Sequence, residues 1–423
     1  MGNHPYDCIV IGGGPAGATA ATILADHGRN TLLLERADFP RFHIGESLMP
    51  QTYWTFKRLG VLDTLKRSPF VRKQSVQFVS ASGKESLPYY FTDRDPNEWS
   101  ITWQVRRDEF DKILIDNARD HGVEVRHGAR VAAVAFQHGR AVGVELHNQA
   151  GPQNTPTRIT ARVVVDATGQ AALLARQLNI LRPDPDLKKA AIYAHYSGGT
   201  RTTGRDEGAT LVLHTHDRNG WFWYIPLHND VVSVGVVADP LYLFHGRGDD
   251  PGATLTEEIA MCPAVSERLA AATRVAGPYV TSDLSYRADR IAGDGWVLIG
   301  DAFGFLDPIY SSGVLMALKS GELAADAIHA ALEHGDVSAD RLGTFGPDLV
   351  AGMHRMGKLV HAFYHRKLSF GRFLRDHPEH VDSLVRLLIG DLFTDEVEPI
   401  FNDLAKYCTL PDPVPLLTGP DPP

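Results

Sequence analysis

Cysteine is scarce in this 423-residue sequence, with only three residues at widely separated positions: Cys8, Cys262 and Cys408. None of them forms a CxxC motif, so we predict neither a disulfide framework nor a metal centre. Unpaired cysteines are typical of a reducing compartment, which predicts a cytoplasmic protein. The sequence also lacks any apolar run near the roughly 20 residues that a membrane-spanning helix needs.

Clustered positive charge is missing as well. The chain has 42 Lys and Arg against 51 Asp and Glu, a formal net charge of −9, and the two signs are interspersed. Binding to nucleic acid needs a basic patch, so we expect no nucleic-acid partner. The chain is 43% hydrophobic and 22% charged, as globular proteins are, and its length allows two or three domains.

The strongest motif lies near the amino terminus, in the segment Asp7–Arg36. Its pattern is a short apolar strand, a glycine turn, a helix of small residues and a second strand. In the turn, Gly12 permits a tight bend, Gly14 lets backbone amides approach a pyrophosphate, and Gly17 lets helix and strand pack closely. Glu35 ends the second strand, where a carboxylate can accept hydrogen bonds from a ribose. The segment therefore predicts a dinucleotide site, with the helix N-terminus facing the phosphates.

Two later segments return the chain to this nucleotide domain. Asp166-Ala-Thr-Gly169 closes one apolar strand, and Gly300-Asp301 closes another. The carboxylate of Asp301 can accept hydrogen bonds from a polyol such as ribitol. Ser311, Ser312 and Gly313 precede a long amphipathic helix, where unpaired amide groups make an anion site.

The segments that follow Glu35 are open to two interpretations. In the loop after it, Arg41 and Ser47 are candidate phosphate or flavin contacts, or else part of an ordinary solvated loop. Ser47 could also begin a helix, and helical spacing over 51–66 predicts a single helix with Trp54 in the core. Lys73 falls in a predicted strand over 70–79, where it would ordinarily be a surface lysine.

An aromatic cluster marks a later strand. Trp221 and Trp223 alternate ahead of Ile225 and Pro226. Such alternation is typical of a buried strand face. Alternatively, these residues form the wall of a pocket for a planar substrate near a flavin.

Together these motifs resemble those of the flavin-dependent halogenases, within the FAD-dependent monooxygenases. The resemblance is to members that act on phenols, pyrroles or acyl groups tethered to carrier proteins. It is carried by the glycine motif with Glu35 and by three further segments: FPRFHIGES at 39–47, WFWYIP at 221–226 and DPIYSSG at 307–313.

The resemblance implies an α/β fold: a glutathione-reductase-type FAD-binding Rossmann domain, an inserted antiparallel-sheet substrate domain and a helical C-terminal region with a proline-rich tail. We predict the following boundaries: FAD-binding domain 1–72, 106–180 and 286–332; strands of a substrate-facing sheet 73–105; substrate domain 181–285; C-terminal region 333–423.

The resemblance also assigns roles to individual residues. Lys73 and Ser311 would be catalytic, and Ser312 and Gly313 would hold chloride or bromide. The pocket wall would comprise Trp221, Trp223, Ile225 and Pro226. The residues that bind FAD would be Gly12, Gly14, Ala16, Gly17, Glu35, Arg36, Arg41, Ser47, Arg107, Asp301 and Gly313.

The implied chemistry uses FADH2 from a separate reductase, since we find no second dinucleotide motif. Oxygen would form a flavin C4a-hydroperoxide, and halide would attack it to give hypohalous acid. This oxidant would pass to Lys73 and halogenate an electron-rich aromatic, a phenol, pyrrole or indole, free or carrier-tethered. Free tryptophan is not expected, because the glutamate of tryptophan-type halogenases is absent near Tyr310.

Two alternatives remain open because a fold does not fix a function. One is a non-halogenating FAD-dependent monooxygenase or dehydrogenase, including a geranylgeranyl-reductase-like enzyme. The other is a catalytically silent flavin-binding scaffold.

Overall fold

The structure is a computed structural model that describes residues 5–147, 157–215, 218–282 and 284–417. Over these residues the chain has the predicted α/β architecture, with a largely parallel sheet, a second sheet of mainly antiparallel strands and a helical C-terminal region. None of the helices in these ranges is long and apolar enough to cross a membrane.

The strands of the described residues are, in chain order, β1 (Tyr6–Ile11), β2 (Thr31–Leu34), β3 (Val71–Lys73), β4 (Ser75–Val79), β5 (Tyr89–Tyr90), β6 (Thr102–Gln104), β7 (Glu124–Arg126), β8 (Val131–Gln137), β9 (Arg140–Leu146), β10 (Thr157–Asp166), β11 (Leu181–Pro183), β12 (Ala190–Ser197), β13 (Thr210–His214), β14 (Gly220–Leu227), β15 (Val231–Ala238), β16 (Thr273–Thr281), β17 (Tyr286–Ala288), β18 (Ala292–Gly293), β19 (Trp296–Leu298) and β20 (Gly304–Phe305).

The α-helices of the same residues are α1 (Pro15–Asp26), α2 (Thr52–Arg58), α3 (Leu62–Arg67), α4 (Arg107–Asp120), α5 (Leu173–Gln177), α6 (Pro240–Phe244), α7 (Pro251–Met261), α8 (Pro263–Arg268), α9 (Ser312–Glu333), α10 (Ala339–Leu342), α11 (Gly346–Tyr364), α12 (Phe370–Asp376), α13 (Val381–Ile389) and α14 (Glu398–Leu404).

The nucleotide domain is built on the strand order β18-β19-β10-β1-β2-β7, with β8 and β9 attached through β10. Strand β1 pairs in parallel with both β2 and β10, and β10 pairs in parallel with β19. The strands are apolar along most of their length because both faces of such a sheet are covered. Helix α1 packs against α9 and α4. Because β1, β10 and β19 are parallel neighbours, their carboxyl ends lie at the same edge of the sheet. Ligands of open α/β sheets bind at that edge.

The second sheet has the order β16-β12-β15-β14-β13-β4-β5. Side chains alternate across it, as they must in any strand. On β14, Phe222 and Tyr224 enter a separate apolar cluster with residues of α6, α7 and α8. Trp221, Trp223 and Ile225 belong to the main core on the other face.

Three local predictions were wrong. The helix expected over 51–66 is divided into α2 and α3, because the chain turns at Gly60 in the left-handed region (φ +73°). Trp54 lies on the outer face of α2 and is 45% exposed. The strand expected over 70–79 is split between β3, which pairs with β6, and β4, which joins the second sheet.

The C-terminal region is helical, as predicted. Helix α11 buries an apolar stripe against the rest of the core: Leu349, Met353, Met356 and Val360. No regular helix or strand is present over 409–417, and the remainder of the proline-rich tail, 418–423, lies outside the described residues.

Candidate functional site

A cavity of about 570 Å³ is lined by residues of both sheets and by the loop that follows Glu35. Most of the predicted site residues meet at its wall: Gly12, Gly14, Ala16, Glu35, Arg36, Arg41, Ser47, Arg107, Trp221, Trp223, Ile225, Asp301, Ser311 and Gly313. Residues as far apart in the chain as Gly12 and Gly313 are therefore brought into one site.

The glycine motif forms the nucleotide end of the cavity. Gly12 has φ +105°, and a Cβ there would come within 2.4 Å of the Ala167 carbonyl oxygen. Gly17 lies behind the wall, where a Cβ would come within 2.0 Å of the Gly12 oxygen. Only glycine fits this crossing of strand and helix, as the motif predicts.

Glu35 and Arg41 complete that end. The Glu35 carboxylate accepts hydrogen bonds from the backbone amides of Gly13 and Ala37, each at 2.8 Å. One Arg41 guanidinium nitrogen, Nη1, is buried without a hydrogen-bond partner, although Asp111 Oδ2 lies 3.3 Å away. The other, Nη2, lies 3.6 Å from the position of a Cβ on Gly14. A cation over an open glycine at a helix N-terminus fits a bound pyrophosphate.

Arg107 holds the loop around Ile44 and Gly45, which lines the cavity. Its guanidinium is forked on Asp111, with 2.7 Å from Nε to Oδ1 and 3.0 Å from Nη2 to Oδ2. Nη1 also donates to the Ile44 carbonyl. Asp301 is at the same wall, where burial raises the pKa of its carboxyl to about 7 and Arg107 opposes the rise.

Lys73 ends β3 and is 3% exposed. Its ammonium Nζ donates to the Ser47 hydroxyl at 2.9 Å and to the Leu48 carbonyl at 3.0 Å, and lies 5.7 Å from the centre of the Phe91 ring. Among the described residues, Lys73 forms no ion pair with a carboxylate. Burial alone lowers the pKa of Lys73 to about 7. Lys73 is thus a buried amine that has hydrogen bonds but, among the described residues, no carboxylate to balance a positive charge. The interpretation as a surface lysine is wrong.

Ser47 separates Lys73 from the cavity. Its hydroxyl bonds both to Lys73 and to the Thr210 hydroxyl, with 2.9 Å between the two oxygens. Ser47 and Thr210 both line the cavity, whereas Lys73 lies behind them. Ser47 does not begin a helix, since α2 starts at Thr52.

Strand β14 supplies the aromatic wall. Trp221, Trp223 and Ile225 line the cavity, and the Trp223 indole N–H donates to the Ser233 hydroxyl at 3.1 Å. Pro226 belongs to the opposite face and lines a small surface pocket there. This corrects the expectation that all four residues of the motif form one wall, because adjacent residues of a strand point to opposite faces.

The predicted halide site lies at the start of α9. Ser311 adopts the left-handed conformation (φ +60°) and immediately precedes the helix. Ser311 and Gly313 line the cavity, while the Ser312 side chain is 2% exposed and packs behind them. The amides of the first helical turn, which have no partner within the helix, therefore lie at the cavity wall.

Several residues of the site were given no role from the sequence. Glu46 pairs with His195, with 2.7 Å between Oε1 and Nε2, and its other oxygen is buried without a hydrogen-bond partner. Burial lowers the pKa of His43 to about 4. His43 and Glu46 both lie in the loop motif at 39–47, which could have identified them. Thr210 and His195 lie within ordinary strands, and nothing in the sequence distinguishes them.

One cluster outside the cavity has metal-ligating side chains. His377, Glu379, His380 and Asp403 bring candidate ligand atoms within 4.8 Å of one another. The Lys406 ammonium already pairs with Asp403 at 2.6 Å. The Lys406 ammonium thus already supplies positive charge to this cluster. That the protein has no metal centre stays a prediction.

Known proteins resemble the chain in both sequence and fold. A family model described as an FAD binding domain matches residues 5–346. A 1H-pyrrole-2-carbonyl-(peptidyl-carrier protein) chlorinase from Pseudomonas fluorescens is 31% identical over 420 residues, covering 93% of this chain and 91% of that protein. The solved structure of a flavin-dependent brominase has a TM-score of 0.84 and 29% identity, covering 95% of this chain and 98% of that one.

The chain belongs to the flavin-dependent halogenase family. FAD is the cofactor of this halogenase, and the predicted family, fold and enzyme class are confirmed. A solved flavoprotein/dehydrogenase from Cytophaga hutchinsonii also has a TM-score of 0.84, with 27% identity and coverage of 95% and 99%. The fold alone therefore does not identify a halogenase. The halogenase activity is assigned from the sequence relatives.

Proposed function

We propose that this halogenase uses Lys73 to deliver halogen to a pyrrole or a similar electron-rich aromatic that a carrier protein presents. The observation that carries the proposal is the buried Lys73 amine, which has no carboxylate partner in the described part of the chain and contacts the cavity wall through Ser47. The related chlorinase, which acts on a carrier-bound pyrrole, supports the choice of substrate.

The residues of the nucleotide end would hold FAD. Arg41 would bind the pyrophosphate, Glu35 the adenosine ribose, and Asp301 the ribityl chain. The amides of Ser312 and Gly313 would hold chloride or bromide at the positive end of α9. When bound and reduced, FAD supplies the oxygen chemistry that converts halide into hypohalous acid. The reduced cofactor would come from a separate flavin reductase, since the sequence has a single dinucleotide motif.

Lys73 would then take up the oxidant. A neutral amine can attack the halogen of hypohalous acid, so that an N–halogen bond forms, the halogen–oxygen bond breaks, and hydroxide leaves with the amine's proton as water. Desolvation, which lowers the pKa of Lys73 to about 7, makes the neutral form available near neutral pH. Ser47 and Thr210 would orient hypohalous acid as it leaves the cavity.

Trp221 and Trp223 would keep the organic substrate away from the flavin, so that the site favours halogenation over direct hydroxylation. The three cysteines are buried and unpaired. That arrangement supports the proposal of a cytoplasmic location.

The substrate is tested with the FAD-loaded protein, a flavin reductase, oxygen and bromide. Pyrrole-2-carboxylate is offered in two forms, free and as a thioester on a carrier protein, beside free phenol and indole. We expect a brominated product with the bromine isotope pattern from the carrier-bound pyrrole, and little from the free acid. Bromination of only free aromatics would contradict the carrier requirement, and absence of any halogenated product would contradict the substrate class.

A further inference from the structure

Three polar side chains form a hydrogen-bonded chain that joins the motifs on two sides of the cavity. The Trp221 indole N–H donates to the Tyr364 hydroxyl oxygen, with 2.9 Å between Nε1 and Oη. The Tyr364 hydroxyl donates in turn to the Asp307 carboxylate, with 2.8 Å between Oη and Oδ2. Trp221 and Asp307 are each 1% exposed, so bulk water cannot replace a lost partner.

Asp307 organises the loop that leads into the proposed halide site. Its second oxygen, Oδ1, accepts a hydrogen bond from the Ile309 amide at 2.9 Å. The Ser311 amide then donates to the Pro308 carbonyl at 3.1 Å, and Ser311 takes its left-handed conformation directly before α9. The position of the Asp307 carboxylate therefore determines how the first amides of α9 are presented.

Tyr364 comes from a part of the chain that the motifs did not include. It is the last residue of α11, in the C-terminal region, and lies beyond the 5–346 segment that matches the FAD-binding model. Its ring is contacted by the Lys189 ammonium, 4.6 Å from the ring centre, and by Phe363 in a T-shaped arrangement. The hydroxyl thus reaches Asp307 from a fixed position.

We propose that Tyr364 is a positioning residue for halide binding, acting through Asp307, and that the C-terminal region thereby completes the active site. The proposal rests on the proposed halide site at Ser312 and Gly313. Without the Tyr364 hydroxyl, both Asp307 and Trp221 would keep a buried polar group without its partner, and the loop would settle in a different position.

The direct test is Tyr364→Phe, which removes one oxygen and keeps the ring. The control is Tyr224→Phe, because Tyr224 is also buried and its hydroxyl donates a hydrogen bond, 2.8 Å to the Thr200 carbonyl, on the opposite face of β14. The dissociation constant for bromide is measured by titrating the flavin absorbance of the FAD-loaded proteins. We expect Tyr364→Phe to weaken bromide binding about two- to tenfold, the range of a net hydrogen-bond contribution, with FAD affinity unchanged.

A second variant, Asp307→Asn, tests the route of the effect. If Tyr364 acts through Asp307, the double variant will bind bromide about as weakly as Asp307→Asn alone. Equal dissociation constants in the wild type and Tyr364→Phe, or equal weakening in Tyr224→Phe, would overturn the positioning role and leave the proposed function intact. A wild type without any saturable response to bromide would refute the proposed halide site, and the role of Tyr364 with it.

Discussion

Replacing Lys73 with methionine should stabilise the folded protein at neutral and acidic pH. The wild-type amine has an ordinary pKa of 10.5 when unfolded and a pKa of about 7 when buried. The difference of 3.5, at 1.36 kcal/mol per unit, corresponds to about 5 kcal/mol of desolvation cost for the charged form. Loss of the bonds to Ser47 and Leu48 offsets about 1–3 kcal/mol. We therefore expect Lys73→Met to gain about 2–4 kcal/mol at pH 6.

The pH dependence has a definite sign. Below pH 7 the amine is protonated in both the folded and the unfolded state, so the full cost is present. Between pH 7 and 10.5 only the unfolded state carries the proton, and the wild type regains stability as the pH rises. The advantage of Lys73→Met should therefore shrink by about 1.4 kcal/mol per pH unit over that window.

The assay is urea unfolding of the FAD-loaded wild type and Lys73→Met between pH 5.5 and 10. Lys112→Met is the control, because Lys112 is exposed on α4, where its ammonium forms an ion pair with Asp116. The control should differ from the wild type by less than about 0.5 kcal/mol at every pH. A difference between Lys73→Met and wild type that does not change with pH would refute the depressed pKa, and with it the availability of a neutral amine.

Two further changes test the nucleotide end. Gly17→Ala places a Cβ 2.0 Å from the Gly12 oxygen, so we expect the strand–helix crossing to open and FAD to be lost on gel filtration, whereas Gly28→Ala should retain it. Arg41→Ala should weaken FAD binding about tenfold or more by removing a charge-assisted phosphate contact; fluorescence titration of the apoprotein would measure this. The control is Arg126→Ala, because Arg126 is half-buried and pairs with Glu124 outside the cavity. An Arg41→Ala dissociation constant equal to that of Arg126→Ala would contradict the pyrophosphate role.

Local sequence predicted those parts of the site where one short segment contains the whole physical requirement. The glycine turn, α1 and Glu35 are such a unit, since steric fit and helix polarity decide each position within 30 residues. The amide groups at the start of α9 are another. The side of β14 that each residue faces also follows from strand alternation, and Pro226 was misassigned because the motif was treated as one unit.

The other residues of the site and of the core depend on contacts between segments that are far apart in the sequence. Nothing near Lys73 in the sequence indicates burial, because its cover comes from Ser47 and Thr210, which lie 26 residues before it and 137 after it. Tyr364 lies in a helix whose apolar stripe predicts packing only. Trp54 was expected in the core because helical spacing does not reveal that α2 ends at Arg58.

The central claim is that oxidant formed beside FAD is used at Lys73, and it is tested by following where hypohalous acid goes. The FAD-loaded wild type, Lys73→Met and Lys112→Met receive FADH2, oxygen, bromide and carrier-bound pyrrole, with a soluble thioether present as a trap for escaped oxidant. We expect the wild type and Lys112→Met to brominate the pyrrole. In Lys73→Met, pyrrole bromination should fall about a hundredfold or more. The oxidant should instead escape to the trap, which is oxidised at a rate similar to that of pyrrole bromination by the wild type. Undiminished bromination by Lys73→Met would contradict the claim.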